Sequence, residues 1–284
     1  MGAPMYARLL EVMLKQSTLP DDFTTWDDAE EDADTFDRFR EFVVADLFDN
    51  AYCVLRGQYL SIIASALSSA KNWQAAESGT FALRVAAEPI SEELEESTSA
   101  ANEAETFLAQ MFSTIIEHTA DNAGLFSCHA LVRAETCEMI AAYSFWLGRK
   151  TATLEEHAAL TRGILMYVTA AFPYELAWRQ AANAFKNICA RCARQLKDPS
   201  TFTALLEHTE RCIASVRPNF DNPDERDERT SVMEGLARVI ARMPIAQASQ
   251  ASARIIAPVI TKCKLFAAEV ASTSAPAGPE ASRA

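Results

Sequence analysis

The sequence predicts an all-α fold in which helix hairpins stack one upon the next, and three observations carry that expectation. Only eight of the 284 residues are glycine, and Ala, Leu and Glu crowd the stretches between prolines, which favours helix over strand. Apolar residues recur at spacings of three and four through about ten helix-length segments. The first helices of the candidate hairpins begin near residues 35, 72, 125, 174 and 227, a period of roughly 37 to 53 residues.

The elements follow in order. Residues 4–16 read as one helix with Leu9, Leu10 and Met13 on its apolar side, and residues 1–20 as part of a preceding repeat unit. Pro20 opens an acidic loop, 21–34, with eight acids among fourteen residues and no base. Segments 35–48 and 51–69 make the first hairpin. The second is 72–89 with 101–119, separated by Pro89 and the acidic turn Ser91 to Glu96. The third is 124–147 with 152–172, where Gly148 ends one helix, Thr153 and Glu156 have capping-box spacing, and Pro173 closes the unit.

The fourth hairpin is 174–197 with 200–216. In its first helix Trp178, Ala181, Ala182, Phe185, Ile188, Cys189, Cys192 and Leu196 fall within about 120° of arc at 100° per residue. The opposite side carries Arg179, Asn183, Lys186, Arg194 and Lys197, a basic stripe in an acidic protein. The fifth hairpin, 227–243 with 246–269, turns at Pro244 and should kink at Pro258. Residues 271–284, rich in Ala, Ser and Pro, read as a disordered tail. A hairpin of this length cannot bury both of its apolar faces alone, so 35–269 is expected to form a superhelical solenoid of about five antiparallel hairpins of the HEAT or armadillo type. A pair of four-helix bundles is the alternative.

Composition narrows function. Hydrophobic residues make up 49% of the chain and charged ones 23%, enough to bury a core. The net charge of −13 is uneven: residues 1–120 hold 22 acids and 7 bases, residues 121–284 hold 17 acids and 19 bases. An acidic N-terminal half repels nucleic acid and favours basic partners. The seven cysteines lie in apolar helical stretches behind no signal peptide, which suits reduced thiols in the nucleus or cytoplasm. No apolar run approaches the ~18 residues of a membrane span.

No catalytic constellation emerges. Cys189 and Cys192 have metal or redox spacing, but both fall on the apolar stripe without a second pair, so packing is the better reading. His118, His129, His157 and His208 are scattered, and no phosphate-cradling or nucleophile-elbow motif occurs. The chain therefore reads as a non-enzyme without cofactor or metal. Trp73, Trp146 and Trp178 read as fillers between helices. Two protein-binding candidates remain. One is the acidic stretch with Trp26, Asp27, Asp28, Glu30, Glu31 and Asp32; the other is the basic stripe with Arg179, Lys186, Arg194 and Lys197.

Several stretches resemble a known family. Phe36-Asp37-Arg38-Phe39-Arg40, Trp73-Gln74-Ala75-Ala76-Glu77 through Ala86-Ala87-Glu88-Pro89-Ile90, Ala181 through Cys192, and Leu236 through Pro244 are similar to the central HEAT repeats of karyopherin-β nuclear import receptors, transportin-SR branch. A related importin branch is nearly as similar. The resemblance implies a receptor segment that shuttles between nucleus and cytoplasm. Its partners would be protein cargo, arginine-serine-rich or otherwise basic, together with the Ran GTPase and nuclear pore proteins, with no direct contact to nucleic acid or membrane. The family's N-terminal Ran-binding domain and its arginine-rich cargo helix have no counterpart in these residues, which implies a piece of a receptor or a truncated relative. A generic HEAT scaffold, such as a phosphatase regulatory subunit or coat adaptor, is the first rival; an all-α enzyme with buried carboxylates is the second.

Overall fold

The structure, a computed structural model, describes residues 2–20, 23, 35–96, 99–117, 124–149, 154–214 and 228–273. Among these residues every regular element is helical. In chain order they are α1 (Gly2–Gln16), a π-helix (Phe39–Val44) that continues into α2 (Ala45–Leu55), α3 (Gly57–Ser68), α4 (Trp73–Val85), α5 (Ala87–Glu95), α6 (Ser99–Glu117), α7 (Ala130–Ala142), α8 (Ser144–Leu147), α9 (Leu154–Ala170), α10 (Glu175–Arg191), α11 (Ala193–Leu196), α12 (Pro199–Ala214), α13 (Arg229–Ile240) and α14 (Ile245–Thr273).

The helices form two rows. In one, α4 packs on α7, α7 on α10 and α10 on α13; in the other, α3 packs on α6, α6 on α9 and α9 on α12. Contacts of α3 with α4, α5 with α6, α9 with α10 and α13 with α14 join the rows. At the N-terminal end α1 and α2 pack on each other and both on α4. Between the rows lies a continuous core that includes Phe48, Phe81, Phe112, Tyr143, Phe172 and Phe185, each almost completely buried.

Several helices start and stop elsewhere than the sequence suggests. The first hairpin does not turn at residues 49–50. Helix runs unbroken from residue 35, through the π-turns, to Leu55, and the chain turns at Arg56, whose φ of 51° puts a non-glycine residue in a costly conformation. Arg56 is held there by the buried Glu93 carboxylate at 3.1 Å. Pro89 does not end a helix: it lies in the first turn of α5, where a missing N–H costs nothing, and the acidic turn Ser91 to Glu96 is largely helical. The helix expected from residue 124 starts at Ala130, behind His129, whose Nδ1 accepts the Leu131 N–H at 3.2 Å as an N-cap. α14 continues through Pro258 to Thr273, three residues into the expected tail; residues 274–284, and Thr153 of the expected capping box, lie outside the described residues.

The largest departure repeats. Each long first helix expected at 72–89, 124–147 and 174–197 is interrupted, at Ala86 (φ −72°, ψ 1°), Tyr143 (φ −87°, ψ 8°) and Cys192 (φ −100°, ψ 14°), and resumes as the short α5, α8 or α11. Neighbouring hairpins supply donors to carbonyls at the first of these interruptions and at the ends of two of the short helices. Tyr59 Oη donates to the Ala82 carbonyl (2.7 Å) and Tyr143 Oη to the Leu83 carbonyl (2.8 Å), both in the last turn of α4. Arg149 Nη2 donates to the Leu94 carbonyl (2.8 Å) at the end of α5, and Gln195 Nε2 to the Leu147 carbonyl (3.3 Å) at the end of α8. The interruption at Ala86 and the ends of α5 and α8 are thus tied by hydrogen bonds that also fix one hairpin against the next.

Candidate functional site

Of the two sequence-derived candidates, Trp26, Asp27, Asp28, Glu30, Glu31 and Asp32 all lie outside the described residues. The basic stripe is within them, and the structure divides it. Arg179 and Lys186 sit on α10, but the helix breaks at Cys192, so Arg194 belongs to α11 and Lys197 follows it. The single stripe expected over 174–197 is therefore two separate groups. Lys186 Nζ is 3.3 Å from Glu234 Oε2 of α13, and Arg179 Nε is 3.9 Å from Glu228 Oε1. Half of the stripe is used between helices; Arg194 and Lys197 are exposed.

Among the described residues the cysteines and histidines are not gathered into one centre. Cys189 and Cys192 are free and buried, and burial pushes both thiols up, Cys192 to about 12, which leaves them protonated and poor as ligands or nucleophiles. His208 Nε2 lies 2.8 Å from Thr169 Oγ1. Among the described residues no three His, Cys, Asp or Glu side chains are grouped so as to hold a metal ion. A groove of about 480 Å³ between α3 and α6, lined by Leu60, Asn102, Glu103 and Phe107 among others, brings in a single carboxylate and no partner for acid–base work. No described helix is long and apolar enough to cross a membrane.

A denser polar cluster lies where the π-helix, α4 and α7 meet. Arg84 Nε donates to Glu135 Oε1 at 2.6 Å and lies 3.4 Å from Glu138 Oε2, while Arg84 Nη2 donates to Glu41 Oε1 at 2.9 Å. Beside it, Arg40 Nη2 donates to Glu77 Oε1 at 2.8 Å, both side chains being buried. The Phe81 ring is shared: the Arg40 and Arg84 guanidinium carbons lie 4.3 and 5.0 Å from its centroid. Four carboxylates thus surround two guanidiniums.

The electrostatics follow from that imbalance. Burial pushes the Glu77 carboxyl up to about 7, opposed by Arg40 and reinforced by Glu135. Burial and then Glu135 also raise Glu138, with Arg84 pulling the other way. For Arg84, burial disfavours the charge, but Glu135, Glu138 and Glu41 outweigh it and leave the guanidinium more basic than usual. Glu77 Oε2 and Arg40 Nε are buried and find no hydrogen-bond partner among the described residues. Chemically the cluster is a charged clamp across three helices that turns two of its carboxylates, Glu41 and Glu138, outward.

Aromatic side chains mark the N-terminal ends of the same helices. The Trp73 ring stacks on His129, centroids 4.0 Å apart and planes 11° from parallel, and Phe23 lies 6.3 Å beyond Trp73. The Arg133 guanidinium covers Tyr174 at 4.7 Å. Trp146 is buried against Phe112, whereas Trp73 and Trp178 are half-buried. No protein-family model matches the sequence, and no curated protein matches it.

Proposed function

We propose that this chain is a non-catalytic protein-binding segment of HEAT-repeat type, and that it serves in a nuclear transport receptor of the transportin-SR kind. The observation that supports the repeat reading is the row α4, α7, α10, α13, in which each helix packs on the next and three in succession break and resume as a short helix. The stretches that resemble transport receptors fall on the opening helices of hairpins and their continuations: Phe36–Arg40 before and within the π-helix, Trp73–Glu77 on α4 with Ala86–Ile90 at its interruption and on α5, Ala181–Cys192 on α10 and its interruption, and Leu236–Pro244 on α13 and the turn after it. Function would then consist of reversible binding of basic or arginine-serine-rich cargo, controlled by Ran and guided by nuclear pore proteins.

The experiment is a pull-down with immobilised chain, offering Ran locked in its GTP form and, separately, an arginine-serine-rich peptide. Retention of both, with release of the peptide on adding Ran-GTP, is the expected result. Retention of neither removes the transport reading and leaves a generic helical scaffold. One observation favours that second reading: Lys186, a residue suited to an acidic partner, is already paired with Glu234 of the same chain.

A further inference from the structure

The two ends of the helix rows are exposed, apolar and opposite in charge. At the N-terminal end, Phe42 is 70% exposed and Val43 and Val54 are also turned to solvent. Exposed acids accompany them: Glu41, Asp46 and, on α5, Glu88. The half-buried Asp49 beside them is raised by burial and then by the nearby Glu88 and Asp46 carboxylates. Residues 35–96 hold ten acids against five bases.

The C-terminal end is the converse. On α14, Ile245 (89% exposed), Ile256 and Ile260 fall within about 60° of arc at 100° per residue. Exposed Arg238, Arg242 and Lys264 accompany them, and residues 229–273 hold six bases against two acids. Neither Arg238 nor Arg242 makes an ion pair among the described residues.

Junctions inside the row show how such surfaces join. Two of its three junctions combine apolar packing with an ion pair from one first helix to the next: Arg84 of α4 to Glu135 of α7, and Lys186 of α10 to Glu234 of α13. Arg238 of α13 continues the series of bases with no acid after it. Asp46 offers an acid at the opposite end.

We propose that this chain associates head to tail with a second copy of itself, the basic apolar face of α13 and α14 seating on the acidic apolar face of the π-helix and α2. The contact is heterologous, so a third copy adds to the second by the same surfaces and growth does not close at a dimer. The proposal stands on the two end surfaces and is independent of the transport reading.

Sedimentation velocity and light scattering of the whole chain test it. The mass is expected to rise with concentration above the 31.2 kDa monomer without a plateau at two chains. Association should weaken several-fold between about 0.05 and 0.5 M salt, as charges at the junction are screened. Phe42→Glu and Ile256→Glu, both exposed positions, should each remain monomeric with an unchanged helical circular dichroism spectrum. Mixed in equal amounts they retain one good surface each and should form a species that stops at two chains. Four results each overturn the proposal: a wild-type chain monomeric at every concentration, association indifferent to salt, a single variant that keeps the wild-type mass, or a mixture that stays monomeric. Because the variants are read against their own spectra, misfolding is separated from lost association, and Ran or peptide binding is not part of the readout.

Discussion

Tyr143 Oη donates to the Leu83 carbonyl over 2.8 Å, and so a residue at the interruption of one first helix satisfies the last turn of the first helix before it. Both groups are buried. Tyr143→Phe keeps the ring against Phe112 but leaves the carbonyl short of a donor, which costs about 1–3 kcal/mol. Urea denaturation checks it: the midpoint should fall with the slope unchanged.

Gly235 lies where α13 crosses α10. A Cβ there would come within 3.0 Å of a Phe185 ring carbon and 3.1 Å of the Lys186 backbone Cα. Helix propensity alone would make Gly235→Ala stabilising by about 1 kcal/mol. Since backbone does not yield as a flexible side chain does, the thermal midpoint should fall instead.

The Arg40–Glu77 pair sets a pH dependence. The folded Glu77 carboxyl is raised to about 7, above its ordinary value of 4.5, so the folded state holds a proton that the unfolded state releases first. Its contribution to stability is fully present below 4.5 and is lost as pH rises to about 7. Stability measured against pH should therefore decline across that window in the wild type and be flatter in Glu77→Gln, which has no proton to lose. An equal decline in both proteins would place the titrating group elsewhere.

His129 titrates in the opposite sense. Burial lowers its pKa below 6.5, and its Nδ1 is committed as an acceptor to Leu131, so the folded state prefers the neutral ring. The stability it contributes is present above pH 6.5 and falls as pH drops through that value towards the folded pKa. An NMR titration should give His129 a midpoint below 6.5. Trp73 fluorescence should change with the same midpoint, because the stacked ring becomes a cation.

Local pattern carried much of the helical reading. On α10 the spacing of Ala181, Ala182, Phe185, Ile188 and Cys189 marked the side that is buried, because periodicity records which face meets the core. The interruptions at Ala86, Tyr143 and Cys192 were not legible: none is Gly or Pro, and at the first of them the last-turn carbonyls accept from Tyr59 and Tyr143, distant in the chain. Pro89 misled for the related reason that a proline's effect depends on its place in the turn. The Arg84 clamp escaped as well. Its acids, Glu41, Glu135 and Glu138, lie more than forty residues away in the chain, and the mixed charges of Phe36-Asp37-Arg38-Phe39-Arg40-Glu41 were the sole local hint. The basic stripe looked continuous only because one unbroken helix was assumed through Cys192.

The succession of helices has a consequence for how the chain comes apart. α10 touches α7, α8, α9, α11 and α13, whereas α14 adjoins chiefly α13 and is exposed along most of its length. Opening should start at α14 and travel inward, so amide exchange would be graded from minutes at the margin to the slowest values around Phe185. Short of the main transition, the molecule would fray like a rope from one end, its middle outlasting its margin.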